Sequence, residues 1–413
     1  YGHAAENLDA DTELVVFSSA VPKDNPERIK ASELKIPELT YAEFLGELSR
    51  TKRTIAICGC HGKSTTTAMI GRILEAAGLD PLVIVGSLIP GFVDGNLRMG
   101  RGEWFVVEAC EHYRHFLSIT PEIVVVTNID RDHLDYYKDL DDIKNAFEEF
   151  MGRAKLVIGS GDDLNSKKLL QKFKAKTVAI EGPGDYQVIR GESKNGKQVF
   201  QLNFHDPSAS VGVTTKIELQ LPGRHNVYDA ALAFAAATEI GIEPKASAAS
   251  LGSYAGIWRR FEKVGEVMGA PIYSDYAHHP MEIRVTLEAA REFYPEADLI
   301  VGFQPHQHNR TKELFNDFVG AFELADEVVI AEIFDVAGRE EKDIGVSSAT
   351  LIKAINKHNQ TKGIKQTAEY VKTVDDLEAA LRAKLERPSD CQKVVFVLGA
   401  GDVDKAARNL AEV

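Results

Sequence analysis

The chain has 413 residues, enough for roughly two to three domains that each bury a core. Its apolar share of 44% and charged share of 27% are those of a globular protein, and 48 Lys+Arg against 62 Asp+Glu leave a formal net charge of −14. This balance argues against a nucleic-acid surface, and no run approaches the ~18 apolar residues of a membrane span, so a soluble cytoplasmic protein without membrane insertion is expected.

Residues 14–17 read as a strand, and 25–34 and 40–48 as helices, with Thr40 as an N-cap and Glu43 three residues on. This is about half of an α/β domain. Either residues upstream of Tyr1 complete it or the piece packs on its neighbour. From about position 50 strand and helix alternate, with strands at 54–58, 81–85, 104–107, 123–126 and 156–158 and helices at 64–77, 139–152 and 164–173. These strands are short, β-branched and nearly uncharged, which suits a parallel sheet covered on both faces. Alternation of apolar and polar residues between about 185 and 221 predicts an antiparallel insertion, followed by helices at 226–240 and 244–251. Beyond Phe261 the alternation restarts, with strands at 271–274, 298–303, 327–331 and 393–398 and helices at 280–293, 311–324, 347–358, 374–386 and 402–411. The expected class is α/β, divided at 1–48, 49–261 and 262–413.

One stretch carries a chemical signal. Gly59-Cys60-His61-Gly62-Lys63-Ser64-Thr65 joins the strand at 54–58 to the helix at 64–77. A glycine turn between strand and helix aims backbone N–H groups at an anion and leaves room for its approach at Gly59 and Gly62. Lys63 would reach the β- and γ-phosphates of a nucleotide, and the Ser64 hydroxyl would join Mg²⁺. The loop is the shorter form G-x-x-G-K-S, with Ile57 where the general pattern has its first glycine. Cys58 and Cys60 lack a second pair to complete a zinc site, and with Cys110 and Cys391 they read as reduced thiols.

Glu108 ends one buried-type strand, and Asn128 and His133 follow the next. Polar groups at the C-terminal ends of parallel strands face the ligand, so these residues can converge on the loop with Glu108 offering a hard oxygen to Mg²⁺. The alternative, a solvated turn and cap made by Asp130, Asp132, His133 and Asp135, stays open. Asn226 reads as a helix N-cap, with a second role at a base needing its side chain free. Arg259, Arg260, Asp275, His278 and His279 bracket the second boundary, where arginines suit closure over a polyphosphate or an interdomain salt bridge. His306, Gln307 and Arg310 follow another apolar strand, at a ligand edge or in an exposed loop.

In this order the motifs resemble the Mur ligases. The similar stretches include Gly2-His3, Ser18-Ser19-Ala20-Val21-Pro22, the loop at 59–67, Glu108-Ala109 and Thr127-Asn128-Ile129. They continue through Asp132-His133, Leu221-Pro222-Gly223-Arg224-His225-Asn226, Arg259-Arg260-Phe261 and Asp275-Tyr276-Ala277-His278-His279-Pro280 to Phe303-Gln304-Pro305-His306, Gly345-Val346-Ser347-Ser348 and Gly399-Ala400-Gly401. The resemblance implies three domains: a Rossmann-like UDP-binding domain, here truncated, a central P-loop ATPase, and a Rossmann-like C-terminal domain that closes on an amino acid. It implies ATP and Mg²⁺ as cofactors, UDP-N-acetylmuramate and L-alanine as substrates, and an acyl-phosphate route to the amide. Carried over by residue, Gly59, His61, Gly62, Lys63, Ser64 and Thr65 hold phosphates. Ser64, Glu108 and His133 hold the metal. Asn128 and Asn226 lie on the adenine side, Arg260 meets a phosphate and Asp275 the ribose. His278, His279, His306 and Arg310 lie around the amino acid. Cys110, His112-Tyr113 and Gln307 depart from the usual pattern, in which an acid stands at 110 and an arginine at 307. A related ligase for a recycled peptide or another amino acid, and a nucleotide-binding regulatory protein without turnover, are the alternatives. Monomer and homodimer both fit the sequence.

Overall fold

A computed structural model describes residues 2–9, 11–134, 136–194, 197–205, 212–335 and 345–412. Asp135 lies outside them. The chain opens on a small parallel pair, β1 (Val15–Phe17) and β2 (Glu38–Thr40), joined by α1 (Pro26–Leu34). The Thr40–Glu43 capping box forms as expected and starts α2 (Tyr41–Thr51), which runs unbroken through position 48. Leu45 of α2 joins the apolar cluster under the next sheet. Gly46 lies against the turn His112–Ser118 so closely that a Cβ would come within 2.5 Å of the Ser118 carbonyl oxygen. The opening segment is therefore seated on its neighbour through α2.

The second sheet contains β3 (Arg53–Cys58), β4 (Leu82–Ile84), β5 (Leu97–Arg98), β6 (Trp104–Glu108), β7 (Ile123–Val126), β8 (Leu156–Ser160) and β9 (Lys176–Ala179), then β10 (Tyr186–Lys194), β11 (Lys197–His205) and β12 (Gly212–Leu219). Among the described residues its order is β12-β11-β10-β9-β8-β7-β3-β6-β4-β5. β3 lies between β7 and β6, parallel to both, so the loop after β3 emerges between the ends of its two neighbours. That is the crevice where open α/β sheets bind ligands. The antiparallel strands at 186–219 extend this same sheet through the parallel contact of β9 with β10. Its helices are α3 (Lys63–Ala76), α4 (Leu140–Met151), α5 (Lys167–Lys172), α6 (Arg224–Glu239) and α7 (Pro244–Gly252). α6 is buried almost throughout, and its alanines let it pack closely. It begins two residues before the expected start, after Gly223 at φ 95, so Asn226 sits inside the first turn and is not the N-cap.

The third sheet contains β13 (Glu262–Val267), β14 (Ala270–Asp275), β15 (Asp298–Phe303), β16 (Glu327–Ile330), β17 (Ala368–Tyr370) and β18 (Lys393–Leu398), in the order β13-β14-β18-β15-β16-β17. Its helices are α8 (Pro280–Phe293), α9 (His308–Glu313), α10 (Phe315–Val319), α11 (Ser348–Lys362), α12 (Val374–Glu386) and α13 (Asp404–Ala411). The single helix expected at 311–324 is two short ones, because Gln307 at φ 69 opens α9 early and the chain breaks at Leu314. The expected strands are present, while β2, β5, β9, β13 and β17 are additional. Each is short or mixed in polarity, and most lie at sheet edges where burial imposes no clear period.

Candidate active site

The loop 59–62 is shaped by two close approaches. Gly59 has φ 134, and a Cβ there would fall 2.0 Å from the Thr127 hydroxyl oxygen. Gly62 has φ 82, and a Cβ would fall 2.4 Å from Asp229 Oδ1. Only glycine satisfies both the backbone and the space. The chain after β7 clamps the loop from the side. Asn128 Oδ1 accepts from the His61 N–H at 3.0 Å, while Asn128 Nδ2 and Thr127 Oγ1 donate to the His61 carbonyl at 2.9 and 2.6 Å. Asn128 is thus committed to holding the loop, although it also lines the cavity beside it.

Lys63 opens α3 and is mostly buried, not exposed to solvent as a free phosphate ligand would suggest. Its ammonium donates to the carbonyls of Gly59 and Cys60 and to Glu111 Oε1 at 3.1 Å. Burial opposes the charge, and the Glu111 carboxylate outweighs it, holding Lys63 protonated well beyond its ordinary range. Beside it Ser64 Oγ donates to Glu108 Oε2 at 2.8 Å, and the same oxygen accepts from the Gly86 N–H at 2.7 Å. Ser64 and Glu108 therefore meet. His133 instead clusters with Glu111 and Asp132, whose ligand atoms lie within 4.8 Å of one another, and Glu108 is not part of that group. The acid–histidine cluster beside Lys63 could hold a divalent cation, and Ser64 with Glu108 offers hard oxygens nearby. The donors fit Mg²⁺. Residue types pointed to Glu108 and His133 but missed Glu111, which lies three positions beyond Glu108 on the same exit from β6.

A cavity of about 400 Å³ lies between the second and third sheets, lined by His61, Gly62, Ser64, Thr65, Asn128, Asn226, Asp229, Arg260, Asp275 and Glu282 among others. Nucleotide-side residues named from sequence thus reach one space. Several are held by backbone. Asn226 Nδ2 donates to the Pro222 carbonyl at 2.6 Å. Asp275 accepts from the N–H groups of Phe261 at 2.7 Å and Ala277 at 2.8 Å. Burial pushes Asp229 up to about 8. The two hinge arginines divide. Arg259 is buried and donates to the carbonyls of Gly399 and Gly401, a structural role, while Arg260 lines the cavity.

The third sheet supplies the remaining groups from the ends of β14 and β15. His279 caps α8, His278 hydrogen-bonds Tyr276 O at 3.1 Å, and the rings of His278 and His306 lie 6.0 Å apart. Burial, with His278 and Arg310 nearby, pushes His306 down to about 4. Arg310 reaches back across the cleft to Asp132 at 3.7 Å, and burial opposes but His133 and Arg310 win in holding Asp132 down to about 2. A second cavity is lined by Asp132, His133, His279, Gln307 and Arg310, which brings His279 and Arg310, two of the four residues expected near an amino acid, opposite Asp132 and His133; His278 and His306 do not line it.

Comparison with known proteins matches this layout. The family model described as the Mur ligase middle domain matches residues 57–237, that of the Mur ligase glutamate ligase domain 259–401, and that of the Mur ligase family catalytic domain 1–53. The chain is 37% identical to the UDP-N-acetylmuramate–L-alanine ligase of Alkaliphilus metalliredigens, covering 99% of this chain and 86% of that one. It is 38% identical to the ligase of the same name from Sorangium cellulosum, with 99% and 85% covered. The structure of UDP-N-acetylmuramate-alanine ligase from Thermotoga maritima superposes with a TM-score of 0.79 at 26% identity, over all of this chain and 87% of that one. With three matched models in order and relatives aligned along nearly its whole length, the chain belongs to the Mur ligase family.

Proposed function

We propose that the chain joins L-alanine to the carboxylate of UDP-N-acetylmuramate at the expense of ATP, in peptidoglycan synthesis and in the cytoplasm. The observation that carries this is the convergence of the 59–65 loop, Lys63, Ser64 and Glu108 on one edge of the sheet, with Arg260 and, through Asp132, Arg310 facing it from the third sheet. The names of the full-length relatives supply the substrates.

A carboxylate is a poor electrophile because it is already anionic. Transfer of the ATP γ-phosphoryl to it forms one P–O bond and breaks another, releasing ADP and giving an acyl phosphate. The amine of L-alanine then attacks the acyl carbon, and phosphate leaves from the tetrahedral intermediate. The loop N–H groups, Lys63 and Arg260 bind and neutralise the phosphates. Mg²⁺ would be held by Glu111, Asp132 and His133 on one side of Lys63 or by Ser64 and Glu108 on the other, and would supply further charge neutralisation when bound. His306, kept neutral by burial, is too weak a base to hold the proton that the incoming ammonium must lose, which passes to the departing phosphate or to water; His306 can accept a hydrogen bond that orients the amine. Arg310 and the two cavity walls exclude water, which would otherwise hydrolyse the acyl phosphate.

The test is phosphate release from ATP and Mg²⁺ with UDP-N-acetylmuramate, screening single amino acids and the cell-wall tripeptide. Release that depends on L-alanine is expected. Release with only the tripeptide or another amino acid would keep the ligase and change its acceptor. Tight ATP binding without release would replace the enzyme by a nucleotide-binding regulator.

A further inference from the structure

Glu282 is a largely but not fully buried carboxylate, 13% exposed, that the chemistry above does not use. It sits in the first turn of α8, and its two oxygens face different structural units. Oε2 accepts from the N–H groups of His278 at 3.1 Å and His279 at 3.2 Å, closing the cap of α8. Oε1 lies 3.2 Å from His61 Nδ1 in the phosphate loop and 3.9 Å from Arg260. One oxygen thus fixes the start of a helix on the third sheet. The other sits between a loop residue and the hinge arginine, both of which line the cavity. His61 Nε2 is buried with no partner among the described residues. Burial works against charge on His61, and Glu282 overcomes it. An imidazole protonated with Nδ1 held by Glu282 would present its Nε2–H as a donor to an anion in the loop.

We propose that Glu282 is a positioning residue that couples occupancy of the phosphate loop to seating of the C-terminal domain. This rests on the ligase reading for its chemical consequence. A phosphate that draws on His61 and Arg260 acts on both through a carboxylate that also holds α8. The helix that carries His279, and the His278–His306 contact beyond it, is thereby registered against the nucleotide before the amine enters. Without the coupling, phosphoryl transfer can proceed in a cleft that still admits water.

The test compares the full chain with Glu282→Gln, whose amide oxygen can keep the helix cap while the charge is lost. Phosphate released is measured against L-alanine incorporated. The wild type is expected to release one phosphate per amide, and the variant to raise this ratio about threefold or more as acyl phosphate is lost to water. A purely structural defect lowers both products together and leaves the ratio at one. Small-angle scattering with a non-hydrolysable ATP analogue is expected to show compaction in the wild type and little in the variant. His61→Ala leaves the α8 cap untouched, so it serves if Glu282→Gln does not fold, and the same rise is expected. A folded variant with a ratio of one and wild-type compaction overturns the proposal. A wild type that releases no phosphate with any acceptor overturns the ligase reading, while the scattering response still decides the coupling.

Discussion

At the scale of single residues, the pair Lys63–Glu111 binds catalysis to stability. Glu111 is 1% exposed, so removing Lys63 leaves a buried carboxylate without its main cation. Lys63→Ala is expected to abolish ATP turnover and also to cost on the order of 3 kcal/mol in urea unfolding. Adding Glu111→Gln should return most of the stability and none of the turnover. Asp229 makes a separate prediction about pH. Its carboxyl ionises near 3.8 in the unfolded chain and at about 8 when folded, because burial disfavours the charge. The folded state therefore holds the proton more tightly, and its stabilising effect is complete below pH ~4 and lost as pH rises towards 8. Asp229→Asn removes that loss. The melting temperature of the variant relative to wild type should climb between pH 5 and 8, and a flat difference would show that Asp229 is ionised in the fold.

At the scale of elements, α2 ties the opening segment to the second sheet. Gly46 meets the Ser118 backbone, which cannot swing aside as a side chain could. Gly46→Ala gains about 1 kcal/mol of helix propensity, yet the 2.5 Å approach forces α2 off its seat. The expected outcome is a net loss, read as a lower melting temperature and faster proteolysis of the segment before β3. The phosphate loop shows the same logic in reverse. Its glycines are required by Thr127 and Asp229, residues on two other elements, so the loop is shaped from outside as much as by its own sequence.

At the scale of the whole molecule, polar contacts across the cleft among the described residues include His61–Glu282 and Asp132–Arg310, and the hinge is pinned by Arg259. Arg259 joins the hinge to the turn after β18 by donating to two carbonyls, and the guanidinium stacks near Tyr276 with its centre 5.0 Å from the ring. Arg259→Ala leaves both carbonyls without this donor, a loss of about 3 kcal/mol or more. Calorimetry should then resolve two thermal transitions where the wild type gives one, because the units no longer support each other at the hinge.

Much of this was legible in the residues themselves. The strand–glycine–helix pattern around 54–77, the Thr40–Glu43 box and the restart of alternation after Phe261 are local signals, written by backbone sterics, capping chemistry and hydrophobic period. They determined the α/β class, the phosphate loop and the order of the sheets along the chain. Only the tertiary structure decided which polar residues are free to meet a ligand. Asn128 and Asp275 are fixed by backbone groups while still lining the cavity, Arg259 is turned to two backbone carbonyls, Lys63 is folded onto Glu111, and Glu282, an ordinary helix-cap residue by its spacing, reaches the phosphate loop 221 positions away. Such assignments depend on partners brought together by strand order and domain packing, and nothing in the spacing of residues along a chain encodes which distant group will satisfy a buried charge.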